Sequence, residues 1–181
     1  MNYTLSNVTK DFWDKYYDIL GKMITEMTAV TNSDSISQNF INIFAPLCHG
    51  AEEMAKNVLR FTQSIAVQKT AEYIVSNQSK TQNILKGIDC ECVKNPDRDL
   101  RLYTRKANSR ICRIFAESEN AAVSNSINKS FVRQILPVYK GEYALCENML
   151  MFSVCKELHD FANKNMHTLR HTVRQIKSLS D

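Results

Sequence analysis

Residues 36–61 read ISQNFINIFAPLCHGAEEMAKNVLRF, and residues 127–152 read INKSFVRQILPVYKGEYALCENMLMF. The two stretches lie 91 residues apart, about half of the 181-residue chain. Each contains a proline followed four residues later by a glycine, which gives the pairs Pro46/Pro137 and Gly50/Gly141. A self-match at a fixed spacing sets the architecture of a chain. The sequence therefore predicts two tandem repeats that arose by internal duplication.

The composition favours helices over strands. Only four glycines and three prolines occur, while 44% of the residues are hydrophobic, so breakers are few and a core can form. There is no apolar run of about 18 residues, so no transmembrane helix is expected. The N-terminal residues carry no recognisable secretory signal, which predicts a cytoplasmic protein with reduced thiols.

Apolar residues at three- and four-residue steps predict three helices in each half. The predicted ranges are 9–28, 36–61 and 65–85 in the first half, and 99–122, 127–152 and 155–179 in the second. A proline inside a helix removes one backbone donor, so we expect a kink or a break at Pro46. The sequence divides into a first repeat (1–86), a linker (87–98) and a second repeat (99–181), which together form one compact domain.

Three amphipathic helices cannot hide all their apolar stripes within one repeat, but two repeats packed together can. The expected fold is all-α, with a four-helix bundle core. The second and third helices of each repeat would form this core around a pseudo-twofold axis. The first helix of each repeat would pack on the outside or cover an end.

One segment carries a family resemblance. The stretch from Phe40 to Ala55, with Pro46 and the later Met54-Ala55 pair, is followed by Ala71-x-x-Ile74-x-x-x-Gln78. It resembles a bacterial family of ferritin-like helical domains of unknown function, the family that includes the cyanobacterial periplasmic copper-binding protein. A more degraded copy spans residues 127–179. The resemblance implies a ferritin-like bundle for both repeats.

The chain departs from the family at its metal ligands. After the proline, the family has two histidines, whereas this chain has Leu47 and Cys48 in the first copy and Val138 and Tyr139 in the second. The apolar pattern of the scaffold is retained. We therefore expect a non-enzymatic structural or interaction scaffold that has lost its family's His-His ligands, with no cofactor and no catalytic residues.

Metal binding is the alternative function. Cys48 and Glu52 are four residues apart on one helix face, and His49 and Glu53 are likewise four apart. A carboxylate with a thiolate or an imidazole could hold copper, iron or zinc. Cys90 and Cys92 in the linker offer two further soft ligands, although a closed site would need others.

Other cysteines and histidines predict no site. Cys112, Cys146 and Cys155 fall within helical segments or at their ends and are expected to be small buried hydrophobes. His167 and His171 are four apart but lie opposite the apolar stripe of the last helix, so they should face water. No Glu-x-x-His, phosphate-binding loop or zinc-protease motif occurs.

Charge is unevenly distributed between the two halves. The net charge is −1 over residues 1–90 and +5 over residues 91–181, within a total of +4. Most of the excess lies in a stretch of the fourth helix that contains Arg98, Arg101, Arg105, Lys106, Arg110 and Arg113. We interpret this stretch as a solvated helix face, so nucleic acid is not the expected partner. A protein partner or a homo-oligomer is expected instead.

Overall fold

The computed structural model describes residues 5–30, 33–89, 93–121 and 123–179, and within these ranges all regular structure is α-helical. The helices are α1 (Asn7–Thr28), α2 (Ile36–Leu59), α3 (Ile65–Lys86), α4 (Asp97–Glu119), α5 (Ile127–Met149) and α6 (Lys156–Ser178). The predicted all-α class is confirmed, and each predicted helix is present with bounds that differ by at most three residues. None of these helices is long and apolar enough to cross a bilayer.

Serine side chains mark where most of the helices begin. The hydroxyls of Ser6, Ser35, Ser64 and Ser126 each accept a hydrogen bond from the backbone N–H three residues later, at the starts of α1, α2, α3 and α5. Such bonds satisfy donors that have no partner within the helix. α4 instead follows Pro96 and carries Asp97 and Asp99 in its first turn, where the helix dipole favours acidic residues. It therefore begins two residues before the predicted start.

The central helices end earlier than predicted. α2 ends at Leu59, after which the N–H groups of Arg60 and Phe61 donate to carbonyls only three residues back, at 3.2 and 3.0 Å. The same tightening follows α5, where Met151 and Phe152 make the corresponding bonds at 3.3 and 3.1 Å. Bonds to the third residue back belong to a 3₁₀ turn, which commonly closes an α-helix.

α2 is not broken at Pro46, and α5 is not broken at Pro137. Each proline costs its helix one backbone hydrogen bond. The helix continues because apolar side chains on both sides of the proline are buried, as at Ile43 and Leu47 around Pro46. Burial of those side chains offsets the missing bond.

α2 and α5 form the centre of the molecule. They pack against each other, α2 also packs against α1 and α3, and α5 also packs against α4 and α6. α3 and α6 touch each other only slightly. α1 also contacts the second repeat. The Tyr16 hydroxyl donates a hydrogen bond to the Ser118 carbonyl at 3.0 Å.

Buried contacts recur in the two repeats at the same 91-residue spacing. In each repeat, an asparagine near the end of the central helix donates Nδ2 to a backbone carbonyl of the preceding helix, and an aromatic ring of that helix meets a phenylalanine edge-on. The asparagine bonds are Asn57 to Phe12 at 2.9 Å and Asn148 to Tyr103 at 3.3 Å. The ring pairs are Phe12–Phe61 and Tyr103–Phe152, with centroids 5.9 Å apart in both.

Asn95, in the segment between the repeats, holds the two halves together. Its Oδ1 accepts from the Ile36 N–H at 2.8 Å, at the start of α2. Its Nδ2 donates to the Ser153 carbonyl at 2.7 Å, in the turn between α5 and α6. Its own N–H donates to the Asp34 carbonyl at 2.9 Å. One buried side chain thus bonds both repeats.

One cysteine prediction is wrong. Cys146 and Cys155 are buried as expected, but Cys112 is exposed. α4 buries residues at three- and four-residue steps, including Ala107, Ile111 and Ile114. Cys112 follows Ile111 by one position, which rotates its side chain about 100° away from this stripe and towards the solvent.

Candidate functional site

A buried carboxyl group lies in the middle of α5. The Glu142 side chain is fully enclosed, with 1% of its surface exposed. Gln78 of α3, also buried, donates from Nε2 to Oε1 of Glu142 at 2.9 Å and to Oε2 at 3.1 Å. A buried charge is costly unless it is paired, and no cation partners this carboxyl among the described residues. Glu142 is therefore the chemically most unusual group in the described interior.

Burial raises the pKa of Glu142 to about 8, against an opposing effect of the Gln78 hydrogen bond. At neutral pH most molecules therefore carry a protonated Glu142 carboxyl. A protonated carboxyl can donate a hydrogen bond as well as accept one. Oε1 of Gln78 has no hydrogen-bond partner in the described part of the chain.

Tyr139 and two cysteines surround this pair. Burial, and secondly the nearby Glu142, raise the pKa of the Tyr139 hydroxyl well above its usual value. The same two causes, in the same order, raise the pKa of the Cys48 and Cys146 thiols. A thiolate is the reactive form of cysteine, so these buried thiols are inert at neutral pH. We name Gln78, Glu142, Tyr139, Cys48 and Cys146 the interior cluster.

The residues of the metal hypothesis point in different directions. Cys48 faces the interior and is fully buried. Glu52 accepts from Nε2 of Gln82 at 2.6 Å and pairs with Nζ of Lys56 at 2.8 Å. His49 and Glu53 line a surface cleft between α1 and α2.

Glu53 is engaged with basic neighbours in that cleft. The hydrogen bond from Lys56 is the main reason that the pKa of Glu53 is lowered. Within the described ranges, no three His, Cys, Asp or Glu side chains are grouped to hold a metal ion. Cys90 and Cys92 lie outside the described residues, so metal binding by this pair stays a prediction. His167 and His171 are exposed, as expected.

Two surface clefts occupy corresponding places in the repeats. The first cleft lies between α1 and α2, and its lining includes Ile19, Lys22, Met23, Glu26, His49 and Glu53. The second cleft lies between α4 and α5, and its lining includes Arg110, Arg113, Ile114, Glu117, Lys140 and Ala144. Each of these residues in the second cleft stands 91 positions after its counterpart in the first. The cleft volumes are similar, about 140 and 130 Å³.

The glycine of each repeat forms the closest helix contact beside its cleft. A Cβ added at Gly50 would come within 2.5 Å of Sδ of Met23. A Cβ added at Gly141 would overlap the Ile114 side chain. The glycine found at this position in both halves is therefore explained by the close packing of the first helix on the central one, since every glycine in the described ranges has a φ that other residues also adopt.

Comparison with known proteins finds no matching family model, no similar curated protein and no similar solved structure. The resemblance to ferritin-like domains therefore stays a prediction. What the protein does must be inferred from the geometry of its own residues.

Sequence reasoning missed the centre of the interior cluster. Gln78 follows Ile74 by four residues, on the same face of α3, and both are buried. Glu142 was not recognised, although it lies four residues after Val138 and three before Leu145, both fully buried. This spacing puts Glu142 on the apolar face of α5, and a glutamate at such a position was the available signal.

Proposed function

We propose that this protein is a non-enzymatic interaction scaffold, a ferritin-like bundle made of two tandem repeats that has lost its family's His-His ligands and binds a protein partner. In this proposal α2, α3, α5 and α6 form the four-helix core, and a pseudo-twofold axis relates the repeats. The equal helix order of the two halves and the contacts repeated at a 91-residue spacing support a duplicated scaffold.

The burial of the positions that stand where the resembled family has histidines also supports this proposal. Cys48 stands where the resembled family has a histidine, and it is closed off in the core. Its counterpart in the second repeat, Tyr139, is equally buried. Both side chains now pack in the core near Glu142. In this proposal the bundle is therefore packed with side chains other than histidine.

The observation that carries the proposal is the groove between α3 and α6. Because these helices touch only slightly, they leave an opening of about 380 Å³. Its apolar floor is formed by Ile84, Ile88 and Phe161, and Ile84 is 53% exposed. Charged side chains of both signs line it, namely Lys80, Glu157, Asp160 and Lys164.

An amphipathic helix of a partner fits this surface. An apolar floor between two helices, with charges along its edges, is the arrangement by which a groove binds the apolar stripe of a helix. A partner helix would remove the exposed part of the Ile84 side chain from water, which favours binding. The partner helix would cover Ile84 and pair its own charges with the mixed rim.

The test is loss of a defined complex on substitution in the groove. Tagged protein would be purified under native conditions from the cells that make it, and any bound protein would be quantified relative to the bait. We expect a partner near one copy per chain with the wild type and its loss with Ile84→Asp, because a carboxylate would be desolvated against the apolar stripe.

Ile65→Asp is the matched control. Ile65 is 67% exposed at the start of the same helix, outside the groove, and an acidic residue there suits the helix dipole. This variant should retain the partner. Equal retention by both variants, or no stoichiometric protein with the wild type, would contradict the proposed docking surface. Light scattering on the purified protein would reveal whether the partner is a second copy of the chain.

A further inference from the structure

The two clefts have kept their position in the repeats but differ in charge. Side chains of both signs line the first cleft, with Lys15 and Lys22 opposed by Asp18, Glu26 and Glu53. Among the described residues that line the second cleft, Glu117 is the only acidic one. A proline and a glycine line both clefts, so the divergence lies in the other lining residues.

Three exchanges account for the difference. Arg110 stands where the first cleft has Ile19, and Lys140 stands where it has His49. Ala144 stands where it has Glu53, so the second cleft lacks that carboxylate. Each exchange makes the second cleft more positive.

The cations of the second cleft are incompletely paired. Nε of Arg113 contacts Oε1 of Glu117 at 2.7 Å, which uses the one carboxylate of this cleft. Arg110 and Lys140 have no carboxylate within 4 Å among the described residues. Nε of Arg110 is itself buried and has no hydrogen-bond partner there. Because Nε is closed off from solvent, a ligand in the cleft would meet the terminal nitrogens of this guanidinium group.

We propose that the second cleft binds a small phosphate-type oxyanion. The guanidinium group of Arg110 presents donors in a planar fork that matches phosphate oxygens, and Lys140 adds a point charge across the cleft. The volume of about 130 Å³ admits a group of several heavy atoms, because a single water needs roughly 10–15 Å³. The apolar side of Ile114 and Pro137 limits the site to a compact ligand.

The test is calorimetric titration of the whole protein with inorganic phosphate at low ionic strength. We expect one saturable site per chain. Ala144→Glu restores the carboxylate of the first cleft and should weaken binding by about tenfold or more, because like charges repel across a short distance. Lys140→Met removes a cation and should weaken binding similarly. Circular dichroism would verify that both variants remain folded.

Lys22→Met is the matched control, because it removes a cation from the first cleft. It should leave the affinity for phosphate unchanged. Equal weakening by Lys22→Met and Lys140→Met would overturn the proposal, since the effect would then come from net charge alone. The absence of a saturable heat with the wild type would also overturn it.

Two further arms define the ligand. Acetate should compete weakly, because it offers fewer oxygens to the guanidinium fork than phosphate does. A single-stranded oligonucleotide that binds tightly where phosphate does not would contradict a small-anion site. The inference does not depend on the groove between α3 and α6, because Ile84→Asp should leave phosphate binding intact even if the partner is lost.

Discussion

At the scale of the residue, Glu142 has the strongest expected effect on how stability depends on pH. Its carboxyl is enclosed among apolar side chains and bonded to one amide, so the neutral form is the stable one. Replacing a protonated carboxyl by an amide of the same shape would keep the packing. A scaffold that retains a buried acid in its core gives up stability at high pH, and this loss can be measured.

Glu142→Gln should remove most of the pH dependence of stability between pH 5 and 8. Because the folded-state pKa is raised to about 8, the folded protein binds more protons than the unfolded chain above pH 4.5. The contribution of this group to wild-type stability should therefore be fully present below pH 4.5 and should fall by roughly 4 kcal/mol as the pH rises to 8. Urea denaturation at several pH values would measure the difference.

The comparison with an exposed carboxyl isolates this effect. Glu72→Gln on α3 replaces an exposed side chain and should keep the wild-type fall with pH. A wild-type curve parallel to that of Glu142→Gln would show that the buried carboxyl does not hold its proton as described.

At the scale of the element, the central helices depend on close contact with the helix before them. Gly50 and Gly141 occupy equivalent positions, but the side chains facing them differ. Met23 is unbranched and adaptable, whereas Ile114 is branched at Cβ and restricted in rotation. The two repeats should therefore respond differently to the same added methyl group.

Gly141→Ala should destabilise the protein by about 1–3 kcal/mol, because Ile114 cannot move aside without strain. Gly50→Ala should be nearly neutral, since movement of Met23 and the better helix propensity of alanine offset the crowding. Gly21→Ala is the control. It has nothing within 4 Å of the added Cβ and should stabilise α1 by up to about 1 kcal/mol. Denaturant midpoints that rank the three variants otherwise would contradict the described packing.

At the scale of the whole molecule, the repeats form one packed unit in which α2 contacts α5. Side chains also bond across the repeats, as Tyr16 does to the Ser118 carbonyl and Asn95 does to both halves. Neither repeat can bury its central helix without the other. Unfolding should therefore be a single transition that both repeats share.

Asn148→Ala should shift the unfolding of the whole chain. It removes the bond to the Tyr103 carbonyl in the second repeat, which should cost about 1–2 kcal/mol. Trp13, the only tryptophan, lies in α1 of the first repeat, and its indole N–H also donates to the Ser124 carbonyl of the second repeat at 3.4 Å. Its fluorescence should move to lower denaturant together with the circular dichroism of all the helices. A tryptophan transition that stays in place would show that the repeats unfold independently.

The sequence by itself determined the helices and their order. Apolar residues at helical spacing, serines at the N-termini and the rarity of glycine and proline act locally, so they can be identified without knowing what each helix touches. The repeat at 91 residues also located the two prolines and glycines in equivalent places. Only the exact helix ends shifted, because those depend on a few turn residues such as Arg60 and Asp97.

The tertiary structure decided where each side chain is placed. Cys48, His49 and Glu53 are neighbours in sequence, but the turn of the helix sends Cys48 into the core and the other two into a cleft. Glu142 and Gln78 are 64 residues apart and meet only because α3 and α5 both contribute to the interior. Contacts between distant segments depend on how the helices pack, which local pattern does not specify.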